Sequence, residues 1–203
     1  DVAKALNLPQ AFSSNVSIER HKHLVRQALD KAGIVNPKFA TCANWQETAD
    51  AANNIGYPLI IKPTDLASSA YISLVKNEAE FMQGEEVSVE AVTFNGQTSI
   101  VGITDKSLTG FPYFIEDGHM FPADLPKDQA EQIVEFVSKA LAAVGHDHGI
   151  SHTEVKLTPD GPKLVEINPR PGGNYIVELI QQVTKINFLD MHIKLALNQA
   201  PDL

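Results

Sequence analysis

The chain has one cysteine among 203 residues. Cys42 cannot build an internal disulfide framework, so the fold must rest on its core, as suits a reducing cytoplasm. No apolar run approaches the roughly 18 residues that span a bilayer, and the start, DVAKALNLPQ, lacks the basic-then-apolar pattern of a signal peptide. Basic residues are in the minority: 16 Lys+Arg against 25 Asp+Glu give a formal charge of −9, with no Lys/Arg run. That balance argues against nucleic acid or an anionic membrane surface as a partner. Neither a P-loop nor a dinucleotide glycine fingerprint is present. What is there is an ordinary globular composition, 43% hydrophobic and 20% charged, enough for a real core. The chain opens on Asp1 within a helix-like stretch, so it reads as part of a longer protein.

The first third alternates helix and strand. Ser17 is placed to cap a helix running to about Ala32, with Leu24, Val25, Ala28, Leu29 and Ala32 on one stripe and Gly33 just beyond. Asn44 followed by Glu47 predicts a second helix start, and Gly56 its stop. PLIIK (58–62) reads as a short buried strand and YISLV (71–75) as another. The middle is antiparallel: EEVSVEAVTF and QTSIVGIT flank Asn95-Gly96, a strong two-residue hairpin signal. A helix over 127–144 follows, with Ala130, Ile133, Val134, Val137, Leu141 and Val144 inward and Gly145 closing it. SHTEVKLT and KLVEIN then flank Pro159-Asp160-Gly161, and two helices complete the chain, the first with Ile176, Leu179, Ile180 and Val183 as its core stripe. Helices mixed with antiparallel hairpins predict an α+β (mixed α/β) fold.

The second hairpin carries the most chemical information. Pro-Asp-Gly suits a three-residue loop with Gly161 in the left-handed position of a bulge, which would pair Thr158 with Pro162. Glu154 then lies opposite Glu166 and His152 opposite Asn168, all four on one face. A two-residue loop would send the two carboxylates to opposite faces. Like charges directly across a ladder are destabilising unless a cation sits between them. Two carboxylates and an amide oxygen form a hard, all-oxygen set suited to magnesium, which keeps water and phosphate as its other ligands. A merely solvated face is the other reading of the hairpin taken alone.

Directly after Asn168 comes Pro169-Arg170-Pro171-Gly172-Gly173-Asn174, leading into a helix. A glycine-rich turn before a helix can present N–H groups to an anion. Arg170, stiffened between two prolines, stands two residues from a candidate metal ligand. Cations beside magnesium are the usual equipment of phosphoryl transfer.

The run HTEVKLTPDGPKLVEINPRPGG resembles the magnesium-binding hairpin of the ATP-grasp superfamily. RHKHLVRQALDKAGIVNPKF resembles the segment that opens that domain, GYPLIIKP its phosphate-binding lysine strand, and GEEVSVE the strand after its hinge. ITDK, FPADL and the HTE hairpin, in that order, are most similar to the amino-acid-ligase (dipeptide synthetase) branch. The resemblance runs from about residue 15 to 190. It implies two α+β subdomains with antiparallel sheets clasping a nucleotide: residues 17–83 the smaller lid subdomain, 84–203 the larger one with the metal hairpin, and 1–16 a remnant of a preceding domain or linker. It implies ATP with Mg2+ (Mn2+ as a substitute) held by Glu154, Glu166 and Asn168. Lys22, Lys62, Ser68, Ser69 and, more weakly, Lys106 would contact phosphate. Glu86 would accept from the ribose hydroxyls. Arg170 would steady the transferred phosphoryl group, Gly172 and Gly173 would offer N–H groups to the carboxylate substrate or intermediate, and His152 would support the metal face. The partners implied are a small-molecule carboxylate and an amine, joined through an acyl phosphate, with a homodimer compatible with the reading and a cytoplasmic location.

Two features depart from the family. In DLASSAY, after Lys62, Leu66, Ser68 and Tyr71 stand where a glycine-rich phosphate lid is expected. EAEFMQ also runs straight into GEEVSVE, where a few dozen residues with an adenine-binding hinge would normally stand, so an omission near Met82 to Gly84 is expected. A non-catalytic nucleotide-binding module is therefore the alternative to a ligase. A zinc hydrolase built on His146, His148 and His152 is a third reading, disfavoured because two of the three sit in a Gly-flanked loop.

Overall fold

The computed structural model describes residue 6 and residues 13–57, 59–62, 73–75, 85–108 and 116–203. The described elements run α1 (Val16–Glu19), α2 (Lys22–Lys31), α3 (Trp45–Ile55), β1 (Leu59–Ile61), β2 (Ser73–Val75), β3 (Glu86–Phe94), β4 (Gln97–Leu108), β5 (Glu116–Met120), α4 (Lys127–Val144), β6 (Gly149–Thr158), β7 (Gly161–Asn168), α5 (Ile176–Thr184) and α6 (Phe188–Ala196). β1 and β2 form a small antiparallel pair, and the other strands form one antiparallel sheet in the order β5-β4-β3-β6-β7. The expected mixed fold is present. β5, an edge strand with no alternating apolar pattern, was not anticipated from the sequence.

The central strand β3 explains the layering. Val87, Val89 and Ala91 point to one face and are buried with Val155, Leu157, Leu164 and Ile167 from β6 and β7. That face packs on α4 through Ile133, Val137, Ala140, Leu141 and Val144, and on α2 through Val25 and Leu29. Burying each of these larger side chains contributes about 1.5–3 kcal/mol, which makes α4 the main support of the sheet. It spans the expected residues and stops at Gly145, whose φ of 72° is the left-handed closure that glycine accepts. The opposite face of β3 divides. Val92 joins Ile150 under Ile176, Ile180, Phe188, Met191 and Leu195 of the two C-terminal helices. Glu86, Ser88 and Glu90 leave the remaining half polar.

Several local expectations need correction. The first long helix is two: α1 ends at Glu19 and α2 starts at Lys22, so Ser17 lies inside α1 and caps nothing. Asn44 does cap α3, accepting from the Glu47 N–H at 3.0 Å, while Glu47 accepts from the Ala43 N–H at 2.8 Å. β1 is half-buried with Ile60 exposed, because only β2 pairs with it among the described residues. In α5 only Ile176 and Ile180 are buried, and Val183 faces outward.

The metal-hairpin register is right for a different physical reason. Thr158 pairs with Gly161, so the turn holds two residues, Pro159 and Asp160, rather than three. Carried through unbroken, that turn would turn Glu154 and Glu166 to opposite faces. An irregularity between Glu154 and Val155 restores the register: Val155 pairs with Leu164 and Glu154 with Glu166, leaving Val165 as the extra residue of a β-bulge. Arg26 holds the bulge. Its guanidinium donates to the Leu164 carbonyl at 2.9 Å, the Val165 carbonyl at 3.1 Å and Asn36 Oδ1 at 3.0 Å. Burial pushes the Arg26 pKa down, with Asp30 and then Glu166 opposing.

Replacing Arg26 by Met should strand two carbonyls at the bulge and cost about 2–3 kcal/mol in urea unfolding. Arg26→Lys should recover little, because one ammonium cannot reproduce the planar fork. A lysine variant with full stability would remove Arg26 from the account of the register.

Candidate active site: a carboxylate face held by cations

The polar half of the sheet is a product of period-two alternation. On β3, Glu86, Ser88 and Glu90 share a side; Lys156, Glu154 and His152 stand beside them on β6, and Lys106, Thr104 and Gly102 on β4. On β7, Glu166 pairs with Glu154 and Asn168 with His152. The expected metal set, Glu154, Glu166 and Asn168, is thus brought to one face. Such a face is stable only if the carboxylates are neutralised.

Cations from three elements do this. Lys106, its side chain only 1% exposed, places Nζ 3.0 Å from Glu154 Oε1 and 3.1 Å from Glu86 Oε1. Lys156 approaches Glu86 Oε2 at 3.6 Å, and Lys22 of α2 reaches Glu166 Oε1 at 3.2 Å. His152 is buried between two acids, with Nδ1 hydrogen-bonded to Glu90 Oε1 and Nε2 3.3 Å from Glu154 Oε1. Burial alone would lower the His152 pKa, but its hydrogen bonds to Glu154 and Glu90, with their charges, raise it to about 9. Burial would likewise raise the Glu154 carboxyl, yet the His152 hydrogen bond and the Lys106 charge bring it down to about 2. Glu154 is therefore ionised and His152 protonated at neutral pH.

The donor set fits a hard divalent cation. The contacts that Lys106 and His152 make to Glu154, and Lys22 to Glu166, fall on Oε1 of each carboxylate. A carboxylate pair with an amide oxygen two positions along the strand suits magnesium.

Other expected residues fall differently. Lys62, just past β1, is exposed; partial desolvation, then the Arg26 charge, lower its pKa, with Lys22 adding to them and Glu166 and Glu154 opposing. Electrostatically it belongs to this group. Ser68 and Ser69 lie outside the described residues, as do Met82 to Gly84. Glu86 opens β3, where Lys106 and Lys156 engage its two oxygens. Lys106 is buried against Glu86 and Glu154, the two carboxylates it neutralises. Arg170 is exposed and folds back to donate to the Pro171 carbonyl at 2.9 Å. The Gly172 N–H is already used, donating to Glu90 Oε2 at 3.1 Å, so of the two glycines only the exposed Gly173 is open to a ligand. The three histidines do not converge: His146 meets buried Glu19 at 3.0 Å, His148 meets the Leu195 carbonyl at 3.1 Å, and His152 serves Glu90 and Glu154. That removes the zinc reading. Among the described residues no group of three His, Cys, Asp or Glu is placed to hold a metal.

Glu90 and Arg26 were not anticipated. Glu90 was legible in principle, since EVSVEAV alternates Glu86, Ser88 and Glu90 against Val87, Val89 and Ala91. Arg26 carried no signal, because its partners are carbonyls about 138 residues away.

Residues 79–179 match the model of the ATP-grasp domain. A stretch of 124 residues is 36% identical to carnosine synthase 1 of Gallus gallus, taking in 61% of this chain and 13% of that protein. Alanine–anticapsin ligase of Bacillus amyloliquefaciens is 28% identical over 232 residues, covering 93% of this chain and 49% of the relative. The crystal structure of L-amino acid ligase from Bacillus licheniformis matches with a TM-score of 0.81 at 26% identity, over 96% of this chain and 52% of that one. The chain thus spans about half, or less, of the length of these proteins.

The two shifts fix a pH window for the metal-free protein. His152, raised from 6.5 to about 9, stabilises fully below pH 6.5 and loses that contribution as pH rises through about 9. Glu154, lowered from 4.5 to about 2, stabilises fully above pH 4.5 and loses that contribution as pH falls through about 2. In chelator-treated protein the melting temperature should plateau between these limits, and His152→Gln should flatten the alkaline limb. An unchanged alkaline limb in that variant would sink the assignment.

Proposed function

We propose that this chain, whose residues 79–179 match the ATP-grasp domain and whose fold is similar to that of an L-amino acid ligase, serves ATP-dependent ligation of a carboxylate to an amine, with amino acids or similar molecules as substrates. The observation that carries the reading is the Glu154–Glu166–Asn168 face, with Glu154 held ionised by Lys106 and His152 and with Arg170 following two residues after Asn168. Magnesium, or manganese in its place, bound through those three side chains would neutralise phosphate oxygens during transfer.

In the overall reaction, a carboxylate oxygen of one substrate forms a bond to the γ-phosphorus of ATP while the bond to the bridging oxygen of ADP breaks. The amine of the second substrate then attacks the acyl carbon of the resulting acyl phosphate, releasing inorganic phosphate and a proton. No side-chain nucleophile is required, so the protein's part is positioning and charge. Lys22 and Lys62 stand beside the metal face at positions suited to phosphate contact. Lys106 and His152 hold Glu154 ionised and oriented. Arg170, exposed and tethered only to its own loop, is free to swing its guanidinium onto transferred phosphoryl oxygens, and the open Gly173 amide is the backbone donor left for a carboxylate. Cys42 lies outside this group and takes no part.

The intact metal face favours a ligase over a non-catalytic module, which would have no use for a cross-strand carboxylate pair beside an exposed arginine. The full-length protein, supplied with MgATP and pools of amino acids, should release ADP and phosphate only when both a carboxylate and an amine acceptor are present. ATP binding without turnover across broad pools would favour the module. Glu166→Gln should lower turnover at least about a hundredfold by weakening the metal clamp, and an unchanged rate would overturn the metal assignment.

A further inference from the structure

Glu90 is an acid that the proposed chemistry does not use. It sits between Val89 and Ala91 on the central strand with its side chain wholly buried, a costly position for a carboxylate unless its oxygens are satisfied. Both are satisfied, by different elements: Oε1 takes the His152 ring N–H from β6, and Oε2 takes the Gly172 N–H from the loop after β7. His152 continues to Glu154 at 3.3 Å, and Gly172 lies two residues from Arg170, with Pro171 between them. Proline fixes φ near −65°, so anchoring the Gly172 amide also limits where the Arg170 backbone can go.

The fit at Gly172 is close. A Cβ there would come 2.9 Å from Glu90 Oε1, 3.1 Å from His152 Nδ1 and 3.2 Å from the Ile176 Cβ. Glycine is required at this position by the approach of the buried carboxylate. The same approach explains why a glycine-rich turn that resembles an anion cradle has one of its N–H groups turned inward.

We propose that Glu90 is a positioning residue: it clips the Arg170 loop to the Glu154–Glu166 hairpin through Gly172 and His152, fixing the distance between the loop's arginine and the metal face. The proposal rests on the ligase reading for its catalytic consequence, while the clip itself is a property of the fold. Glu90 touches neither substrate nor metal in this account, so its removal should act on the chemical step and spare nucleotide affinity. Gln is the conservative replacement. Its amide oxygen still accepts from Gly172, and its NH2 donates to Nδ1 of a neutral His152 that keeps its Nε2 proton for Glu154.

The test uses the full-length protein and three variants: Glu90→Ala, Glu90→Gln and Gly172→Ala, the last displacing the clip from the loop side with every charge kept. The expected result is a kcat about a hundredfold lower in Glu90→Ala and Gly172→Ala, the scale of a roughly 1 Å misplacement. MgATP affinity by calorimetry should change less than about threefold, and Glu90→Gln should recover most of the rate. Independently of any turnover, amide hydrogen exchange at Gly172 should be slow in the parent and Glu90→Gln proteins and fast in Glu90→Ala. A slow Gly172 amide in Glu90→Ala would overturn the clip, whatever the activity. Parent-like kcat in Glu90→Ala, or MgATP affinity falling in step with kcat, would overturn the positioning role. Absence of ligation by the parent protein would count against the ligase reading alone and leave the exchange experiment decisive for the clip.

Discussion

Four carboxylates, Glu86, Glu90, Glu154 and Glu166, share one face of a single sheet, and the structure is arranged to keep them there. Placed so near one another and largely out of water, they would repel one another and oppose the strand pairing without counter-charge. Lys106, Lys156 and His152 come from the adjoining strands, and Lys22 comes from a helix on the other side of the chain's order. Every carboxylate has a donor, with Lys106 shared between Glu86 and Glu154 and His152 between Glu90 and Glu154. This distribution gathers the contacts to Glu154 and Glu166 on one oxygen of each carboxylate.

The apolar half of the same sheet makes the polar half affordable. Val87, Val89 and Ala91, which point away from the acids, are buried in one cluster with α4 and α2, and that packing fixes the strand positions from which the acids project. The C-terminal helices close the far end of the polar face over Val92 and Ile150, so the charged region is bounded on one side by a dry cluster. A boundary of this kind lowers the local dielectric and strengthens each charge pair. Arg26 adds the link between layers: one helix supplies both the guanidinium that holds the β7 bulge and Lys22 for Glu166.

Much of this was legible in the sequence where the signal is local. The α4 helix, the Asn95-Gly96 hairpin with φ values of 52° and 77°, and the glycine stops at 33, 56 and 145 follow from capping and turn chemistry within a few residues. The pairing of Glu154 with Glu166 was also legible, although the extra residue lies at Val165 rather than in the turn. The turn took the tighter two-residue form, and a distant arginine paid the bulge's hydrogen-bonding cost. The identities of Lys106, Glu86 and Gly172 suggested ligand contacts because their sequence neighbours resemble a ligand cradle. In the fold each is consumed by a partner on another strand. β5 was missed because an edge strand such as EDGHM needs no apolar alternation to be held by one neighbour.

The sequence by itself determined the element types, the hairpin that gathers the metal-ligand candidates, and the resemblance that names their chemistry, because each depends on spacing along a short stretch. Only the tertiary structure decided which charges are spent on one another and which stay open. Glu90 meeting Gly172 across 82 residues, Lys106 meeting Glu154 across 48, and Arg26 meeting the bulge across 138 are pairings that no local pattern encodes. They arise from strand order and helix docking, and electrostatic neutralisation at a buried face is set by distance in space rather than in sequence.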